Sequence, residues 1–231
     1  MTSNIETPVI DSETATVVAR RVRARARRCW RNAACAVHHL GPTARYVEGW
    51  IIVHPRDPYV IEHGWCEVDG RIVDPSYTPY VTRGVSPLEP PVAYFPGIRY
   101  SPRAAASAVT QNRLPIALNV ADGPYEQAFR RAWRYVTRPA ATGGQLPAQL
   151  INCQTEPFDV FIGRPSKWAS PFHFDREGAR EQVLAQFRHW LIRQPLLLRD
   201  VQTLRGKVLG CSCPPRRCHG EVLVELANLG L

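Results

Sequence analysis

Hydrophobic and polar positions along the chain change period several times, and each change predicts an element. Residues 45–54, Arg-Tyr-Val-Glu-Gly-Trp-Ile-Ile-Val-His, are β-branched and aromatic, which predicts a strand. Pro55-Arg56-Asp57-Pro58 turns the chain, and Tyr59 to Val68 returns as a second strand. Asp69-Gly70 is a two-residue hairpin signal, because both central positions of a type I′ turn need φ > 0. An antiparallel sheet of three strands follows, and Val92 to Tyr100 adds an edge strand where Pro96 is tolerated. Ser12 followed by Glu13 starts a helix, and the chain stays rich in alanine and arginine to about Leu40. Ser101-Pro102 caps a short helix through about Val109. Phe129, Trp133 and Val136 fall at helical spacing in a helix over Tyr125 to Thr137.

Pro139 to Ala148, with Thr-Gly-Gly and further prolines, reads as a linker. Beyond it the pattern shifts. Phe158 to Gly163 is a short apolar strand, and Asp175 caps a helix whose Ala179, Val183, Leu184, Phe187 and Leu191 share a face. Lys207 to Cys211 is a second strand and His219 to Leu229 a final helix. Strand, helix, strand, helix predicts a small parallel α/β unit. The expected class is therefore α+β, with a first domain over residues 12–138 and a small α/β domain over 151–231.

The hairpin brings chemistry together. A turn at Asp69-Gly70 pairs Val68 with Arg71, and counting back sets Trp65 opposite Asp74 and His63 opposite Ser76. Partners share a face and side chains alternate with period 2. His63, Trp65, Asp74 and Ser76 then project from one side, with His63 and Asp74 as diagonal neighbours roughly 7–8 Å apart. A carboxylate beside an imidazole fixes its tautomer and prepares it as a general base. The candidate nucleophile is Cys29, in Arg-Arg-Cys-Trp-Arg-Asn-Ala-Ala. A helix starting near Arg28 would aim the amides of Cys29 and its neighbours outward as an oxyanion hole. The competing reading leaves Cys29 mid-helix as a small buried hydrophobe, like Cys35.

Composition narrows the class. The chain has 231 residues, a net charge of +9 and 21 prolines. Nearly all its cations are arginines, Lys167 and Lys207 being the lysines, and seven arginines lie between Arg20 and Arg31. A positive field favours anionic partners such as nucleotides or nucleic acid, while a solvated helix face is the plainer reading of the arginine run. The N-terminus lacks a basic, apolar leader pattern, and no stretch is long enough to span a bilayer. Seven cysteines without a secretion signal point to free thiols in a reducing compartment. The expected location is cytoplasmic.

The order Cys29…Asn32-Ala33…Tyr46-Val47-Glu48-Gly49…His63-Gly64-Trp65…Val73-Asp74-Pro75-Ser76…Tyr94-Phe95-Pro96-Gly97 resembles the transglutaminase-like branch of the papain-like cysteine enzymes, over about residues 20–100. The resemblance implies a helix packed on an antiparallel sheet, with Cys29 as nucleophile, His63 as base and later acid, and Asp74 as its orienter. Trp65 would wall the cleft. It implies cleavage or transfer of acyl groups at amide or ester bonds through a thioester, on a small-molecule or peptide substrate, with no cofactor required. Arylamine acetyltransferases share the triad and offer an alternative acyl chemistry. Arg27-Arg28 stand before Cys29 where a glycine and a turn are commoner in that superfamily.

The second domain offers two loops. Gly163-Arg164-Pro165-Ser166 follows one strand, and Cys211-Ser212-Cys213-Pro214-Pro215-Arg216-Arg217-Cys218-His219 follows the next. Parallel neighbours would deliver both loops to the carboxyl ends of the sheet, where open α/β folds bind ligands. Gly163, Arg164, Ser166, Lys167, Arg216, Arg217 and His219 would then form an anion pocket with the last helix N-terminus. Cys211, Cys213, Cys218 and His219 are zinc candidates. Against zinc, the adjacent Cys218 and His219 diverge by about 100° on a helix, and four ligands from nine residues are cramped. Phe161-Ile-Gly-Arg-Pro-Ser-Lys-Trp168…Pro171-Phe172…Leu204-Arg-Gly-Lys-Val-Leu-Gly-Cys-Ser-Cys213-Pro…Cys218-His219-Gly220 resembles, over nearly all of 156–231, an uncharacterised domain family frequent in bacteriophage genomes, with Ala169-Ser170 standing where that family usually has Gly-Asn. The leading expectation is a two-domain cysteine acyl hydrolase or transferase with an anion- or nucleotide-binding partner domain. The alternative is a nucleotide- or nucleic-acid-binding or modifying phage protein whose activity lies in the C-terminal domain.

Overall fold

The computed structural model describes residues 9–55, 58–82, 91–119, 123–137, 146–173 and 180–229. It divides into two compact units, Met1–Ala132 and Trp133–Leu231. The division falls earlier than the proline-rich linker, inside the helix that the Phe129/Trp133/Val136 spacing predicts. Trp133 belongs with the second unit because its indole N–H donates to Leu226 O at 2.9 Å. Most of the expected linker lies outside the described residues.

In the first unit, β1 (Val9–Ile10), β2 (Arg45–Val53), β3 (Tyr59–Val68), β4 (Arg71–Val73) and β5 (Ala93–Tyr100) form one sheet in the order β1-β4-β3-β2-β5. All pairings are antiparallel except β1 with β4. Asp69 at φ +47° and Gly70 at φ +75° make the expected turn, and Val68 pairs with Arg71. The ladder ends at Cys66↔Val73, so the further pairs Trp65–Asp74 and His63–Ser76 are not formed. β5 is the edge strand, and its Pro96 faces Gly49 at a register shift. Sequence patterning missed β1, whose two residues are too few to show a period.

β2 is buried at eight consecutive positions because both sheet faces are covered. Over one face lies α2 (Cys29–Ala36), whose Ala33, Ala34 and Ala36 pack with Tyr46, Cys66 and Ala15 of α1 (Ser12–Arg21). Trp50 projects to that same face and meets Tyr125 and Phe129 of α5 (Pro124–Val136). The opposite face holds Val47, Ile51, Trp65, Ile72 and Tyr94. Between β4 and β5 lies the short α3 (Pro79–Thr82), and α4 (Pro102–Thr110) follows β5, its N-cap Ser101 accepting from Ala104 N. The alanine- and arginine-rich segment is not one helix. Asp11, not Ser12, caps α1 by accepting from Thr14 N at 2.9 Å.

The second unit is a three-stranded parallel sheet, β6 (Gln149–Asn152), β8 (Val208–Cys211) and β7 (Val160–Phe161) in that spatial order. Around it are α6 (Arg180–Ile192), α7 (Pro195–Val201) and α8 (His219–Asn228). Val183, Leu184, Phe187 and Leu191 are buried on α6, as their spacing predicts, and Ile192 is buried with them. Asp175 and Ala179 lie outside the described residues. β6 and α7 were not expected. The sequence of β6 is short and bounded by polar residues, and α7 follows α6 after only a brief break.

Candidate active site

Local structure brings Cys29 to the first turn of α2. Residues 22–28 leave α1 and reverse, with Arg23 at φ +52° and Arg27 at φ +60°. An arginine thus adopts the left-handed backbone that a glycine enters without steric cost. Arg28 is the N-cap and has no side-chain capping bond. The first intrahelical bond is Asn32 N to Arg28 O at 2.8 Å, which leaves the amides of Cys29, Trp30 and Arg31 without a backbone acceptor. Buried Asn32 pins the reversing loop. Its amide donates to Arg25 O at 2.8 Å and to Ser76 Oγ at 3.1 Å, and its oxygen accepts from Arg25 N at 3.1 Å.

β4 leaves the sheet at Val73, so Asp74 folds toward β3. His63 Nε2 lies 2.7 Å from Asp74 Oδ2, with both residues buried. The same carboxylate oxygen accepts from Tyr94 OH at 2.9 Å, and Oδ1 accepts from Ser76 N at 3.0 Å. Three donors therefore hold Asp74 in one orientation. The Cys29 thiol lies close enough to His63 to favour a charged ring. With Nε2 committed to Asp74, Nδ1 is the ring nitrogen left for the thiol. Burial works against a charge on His63. The Asp74 carboxylate and Cys29 outweigh it and push the pKa up to about 10.

Gly64 makes the approach possible. A Cβ there would stand 2.9 Å from Trp30 Cδ1 and 3.1 Å from Trp30 Cα, so α2 rests directly on the β3 backbone beside His63. Cys29 is half-buried, not sealed in the core. Cys35 is half-buried too, and burial pushes its thiol pKa up against the pull of Arg31.

Trp65 does not wall a cleft. It is fully buried, stacked behind His63 with ring centroids 6.4 Å apart and edge-on to Tyr94 at 5.2 Å. Strand alternation gives its side of the sheet but not its depth. The side chain that meets His63 edge-on is Tyr77, at 5.4 Å and half-buried. Tyr94, Tyr77, Ser76 and Asn32 received no role from sequence reasoning, although each but Tyr77 falls inside the quoted motifs. Glu48, also within them, is buried beneath α2 and accepts from Tyr46 OH, Ile116 N and Ala117 N, each at 2.7 Å. Burial raises its pKa against those three donors.

Beside Cys29 is a cavity of about 590 Å³ lined by Arg23, Arg25, Arg27, Arg28, Arg31 and the Trp30 ring, among others. Its walls bracket Cys29 in sequence without including it. Among the described residues none of these five arginines has a carboxylate partner. Patterning treated them as a solvated helix face. They stand on a loop and a helix start that curl round one hollow.

In the second unit, β7 and β8 are parallel neighbours and both loops leave carboxyl ends as expected. The cations do not pool there. Arg164 is directed back to its own loop, to Ser170 O at 3.0 Å and His173 Nδ1 at 3.1 Å. Lys167 pairs with Asp200 at 2.7 Å and lies over Trp168. Arg217 pairs with Glu221 at 2.8 Å and with Glu181. Buried His219 gives Nε2 to Ile162 O at 2.9 Å, which ties α8 to the Gly163 loop. Ser166 N donates to Gly163 O at 2.8 Å, closing that loop on itself. Arg216 is exposed. The expected anion pocket is thus replaced by a set of loop-fastening contacts.

Cys211, Cys213 and Cys218 do converge, with all three sulfurs within 4.8 Å of one another. His219 is not in the cluster, because its ring points to Ile162 O. A hydrogen bond from Cys218 brings the Cys211 thiol down to about 5 against the effect of burial, and raises Cys218 in return.

These features define a two-unit α/β protein. One unit carries an imidazole bonded to a carboxylate with a thiol nearby, and the other is a small parallel domain with a cysteine-bearing loop. The chain belongs to the family described as "Domain of unknown function (DUF4326)", whose model matches residues 149–229. It is similar to the "Uncharacterized 12.4 kDa protein in nrdA-td intergenic region" of Enterobacteria phage T4, 31% identical over 84 residues. That stretch covers 35% of this chain and 77% of the phage protein. No solved structure gives a significant match. Among the described residues no helix is long and apolar enough to cross a membrane.

Proposed function

We propose that the N-terminal unit is a cysteine-dependent acyl hydrolase or acyl transferase of transglutaminase-like, papain-like type. The observation that carries this reading is the His63 ring, bonded through Nε2 to buried Asp74 at 2.7 Å and lying close to Cys29 at a helix start. Cys29 sulfur attacks an amide or ester carbonyl after passing its proton to His63 Nδ1. The amides at the start of α2 are the donors available to the developing oxyanion. His63 returns the proton to the departing amine or alcohol, leaving a thioester on Cys29. Water or a second nucleophile then releases the acyl group.

The test is alkylation of the reduced protein with iodoacetamide, followed by peptide mapping. Cys29 should be labelled well ahead of Cys35 at neutral pH, and His63→Ala should abolish that preference. Equal labelling of the two half-buried thiols would count against an activated nucleophile. No cofactor enters this chemistry.

A second reading, nucleotide or nucleic-acid binding, is favoured by the arginine-lined cavity. Five cations without acidic partners round one hollow suit a polyanion, and each phosphate contact would make binding steeply salt-dependent. The two readings are compatible, since an anionic group held there would lie next to Cys29. Fluorescence anisotropy with a single-stranded oligonucleotide separates them. Binding that survives Cys29→Ala and falls with salt supports the second reading, and no binding at low salt excludes it.

A further inference from the structure

We propose that Cys211, Cys213 and Cys218 form a mononuclear soft-metal site that takes Zn²⁺, a site in the second unit independent of the acyl chemistry. The strand β8 ends in Cys211, the turn after it carries Cys213, and Cys218 is the N-cap of α8. The three sulfurs already lie within 4.8 Å of one another. Thiolates bound to one tetrahedral zinc at about 2.3 Å would stand roughly 3.8 Å apart, so closing on the ion needs only side-chain rotation.

The backbone round the cluster places amides by the sulfurs. The Cys213 N–H lies near the Cys211 sulfur and the Gly220 N–H near the Cys218 sulfur, where each favours a thiolate. Cys218 is held at the start of α8 by Glu221, whose Oε1 accepts from Cys218 N at 3.1 Å. Amides near sulfur offset the charge that three thiolates leave on a divalent ion, as outer partners do in metal sites generally. Cys211 and Cys218 are buried and Cys213 is half-buried, and with three protein donors a water would complete the four-coordinate shell. Thiolate donors select soft d¹⁰ ions over Mg²⁺ or Ca²⁺. On binding, each coordinating sulfur gives its proton to solvent, and no electron is transferred.

The four-ligand arrangement failed on geometry because it included His219. A three-thiolate site requires neither Cys218 and His219 to converge nor a fourth protein ligand. Cys153 is the control, a half-buried thiol of the same unit outside the cluster.

The full chain, reduced and stripped with chelator, is titrated with Zn²⁺ alone and its bound metal measured after gel filtration. The expected result is a single equivalent per chain, retained by Cys153→Ser and lost in Cys213→Ser. Co²⁺ in place of zinc should give thiolate-to-metal charge-transfer absorption. No stoichiometric retention by the wild-type chain, or full retention by Cys213→Ser, overturns the proposal. Should Cys213→Ser fail to fold, alkylation of the wild-type chain decides instead. Zinc should protect Cys211, Cys213 and Cys218 together while Cys153 stays labelled, and labelling that zinc does not change refutes the site.

Discussion

Gly64→Ala tests whether the reactivity of Cys29 depends on how closely α2 sits on β3. The added methyl carbon would lie 2.9 Å from Trp30 Cδ1, 3.1 Å from Trp30 Cα and 3.3 Å from Tyr46 Cε2. Ordinary contact begins near 3.4 Å, so the helix start must retreat by about half an ångström, because a backbone atom cannot rotate away as a side-chain tip can. Overpacking of this kind costs about 1–3 kcal/mol. The chemistry should suffer more, since Cys29 is the residue before Trp30 and a shift of about 1 Å can cost on the order of 100-fold. The expected outcome is a loss of about tenfold or more in the alkylation rate of Cys29 at neutral pH. Gly70→Ala is the matched control. It has nothing within 4 Å of its Cβ but a φ of +75°, so it strains the hairpin by about 1–2 kcal/mol without touching the thiol. Thermal denaturation gives the two stability losses, and stopped alkylation with mass spectrometry gives the two rates. If both variants slow Cys29 equally, or Gly64→Ala leaves it at the wild-type rate, the close seating of α2 is not what positions the thiol.

Asp74→Asn removes the carboxylate that opposes burial of a charged His63. The imidazole pKa should fall, and alkylation of Cys29 at neutral pH should drop by about tenfold or more. A pH–rate profile unchanged from wild type would sink that account. Stability should follow the same group in Cys29→Ala, where no thiol can trade a proton with the ring. His63 then still holds a proton beyond its unfolded value of about 6.5, because Asp74 remains. A raised histidine pKa stabilises the fold fully below that unfolded value and loses its effect as pH climbs through the folded value. The melting temperature of Cys29→Ala should therefore decline from about pH 6.5 upward and level off below the wild-type ring's pKa of about 10. A flat curve across that window would mean that the ring is neutral when buried.

What could be read along the chain and what could not divide by the range of the force involved. The Asp69-Gly70 turn rests on two residues needing φ > 0, a local rule, and it carried the register as far as Cys66↔Val73. It therefore placed His63 and Asp74 on one side, although the contact is made by Asp74 leaving the ladder, not by diagonal pairing within it. The reversal before α2 was illegible for the opposite reason. Arginine has no preference for the left-handed region, so nothing at Arg23 or Arg27 announces a turn. The bonds that hold it, from Asn32 to Arg25 and Ser76, join residues up to 44 positions apart.

The second unit shows the same division in its charges. Parallel strands predicted correctly that the Gly163 and Cys211 loops leave one end of the sheet, because hydrophobic runs and connection lengths constrain topology. Which partner a guanidinium takes is another matter. Arg217 reaches Glu181 on α6, and Lys167 reaches Asp200 on α7, and neither acid has any periodic relation to its cation. A surface arginine adopts whichever acceptor the tertiary fold delivers, at a gain of about 1 kcal/mol or less, so a cationic motif by itself does not establish a pocket. The run before Cys29 differs in a way that only coordinates reveal. Among the described residues no acidic side chain lines the hollow, and its five arginines have no carboxylate partner. The run whose plainer reading was a solvated face is therefore the one whose cations stay without carboxylate partners, and the proposed second reading rests on it.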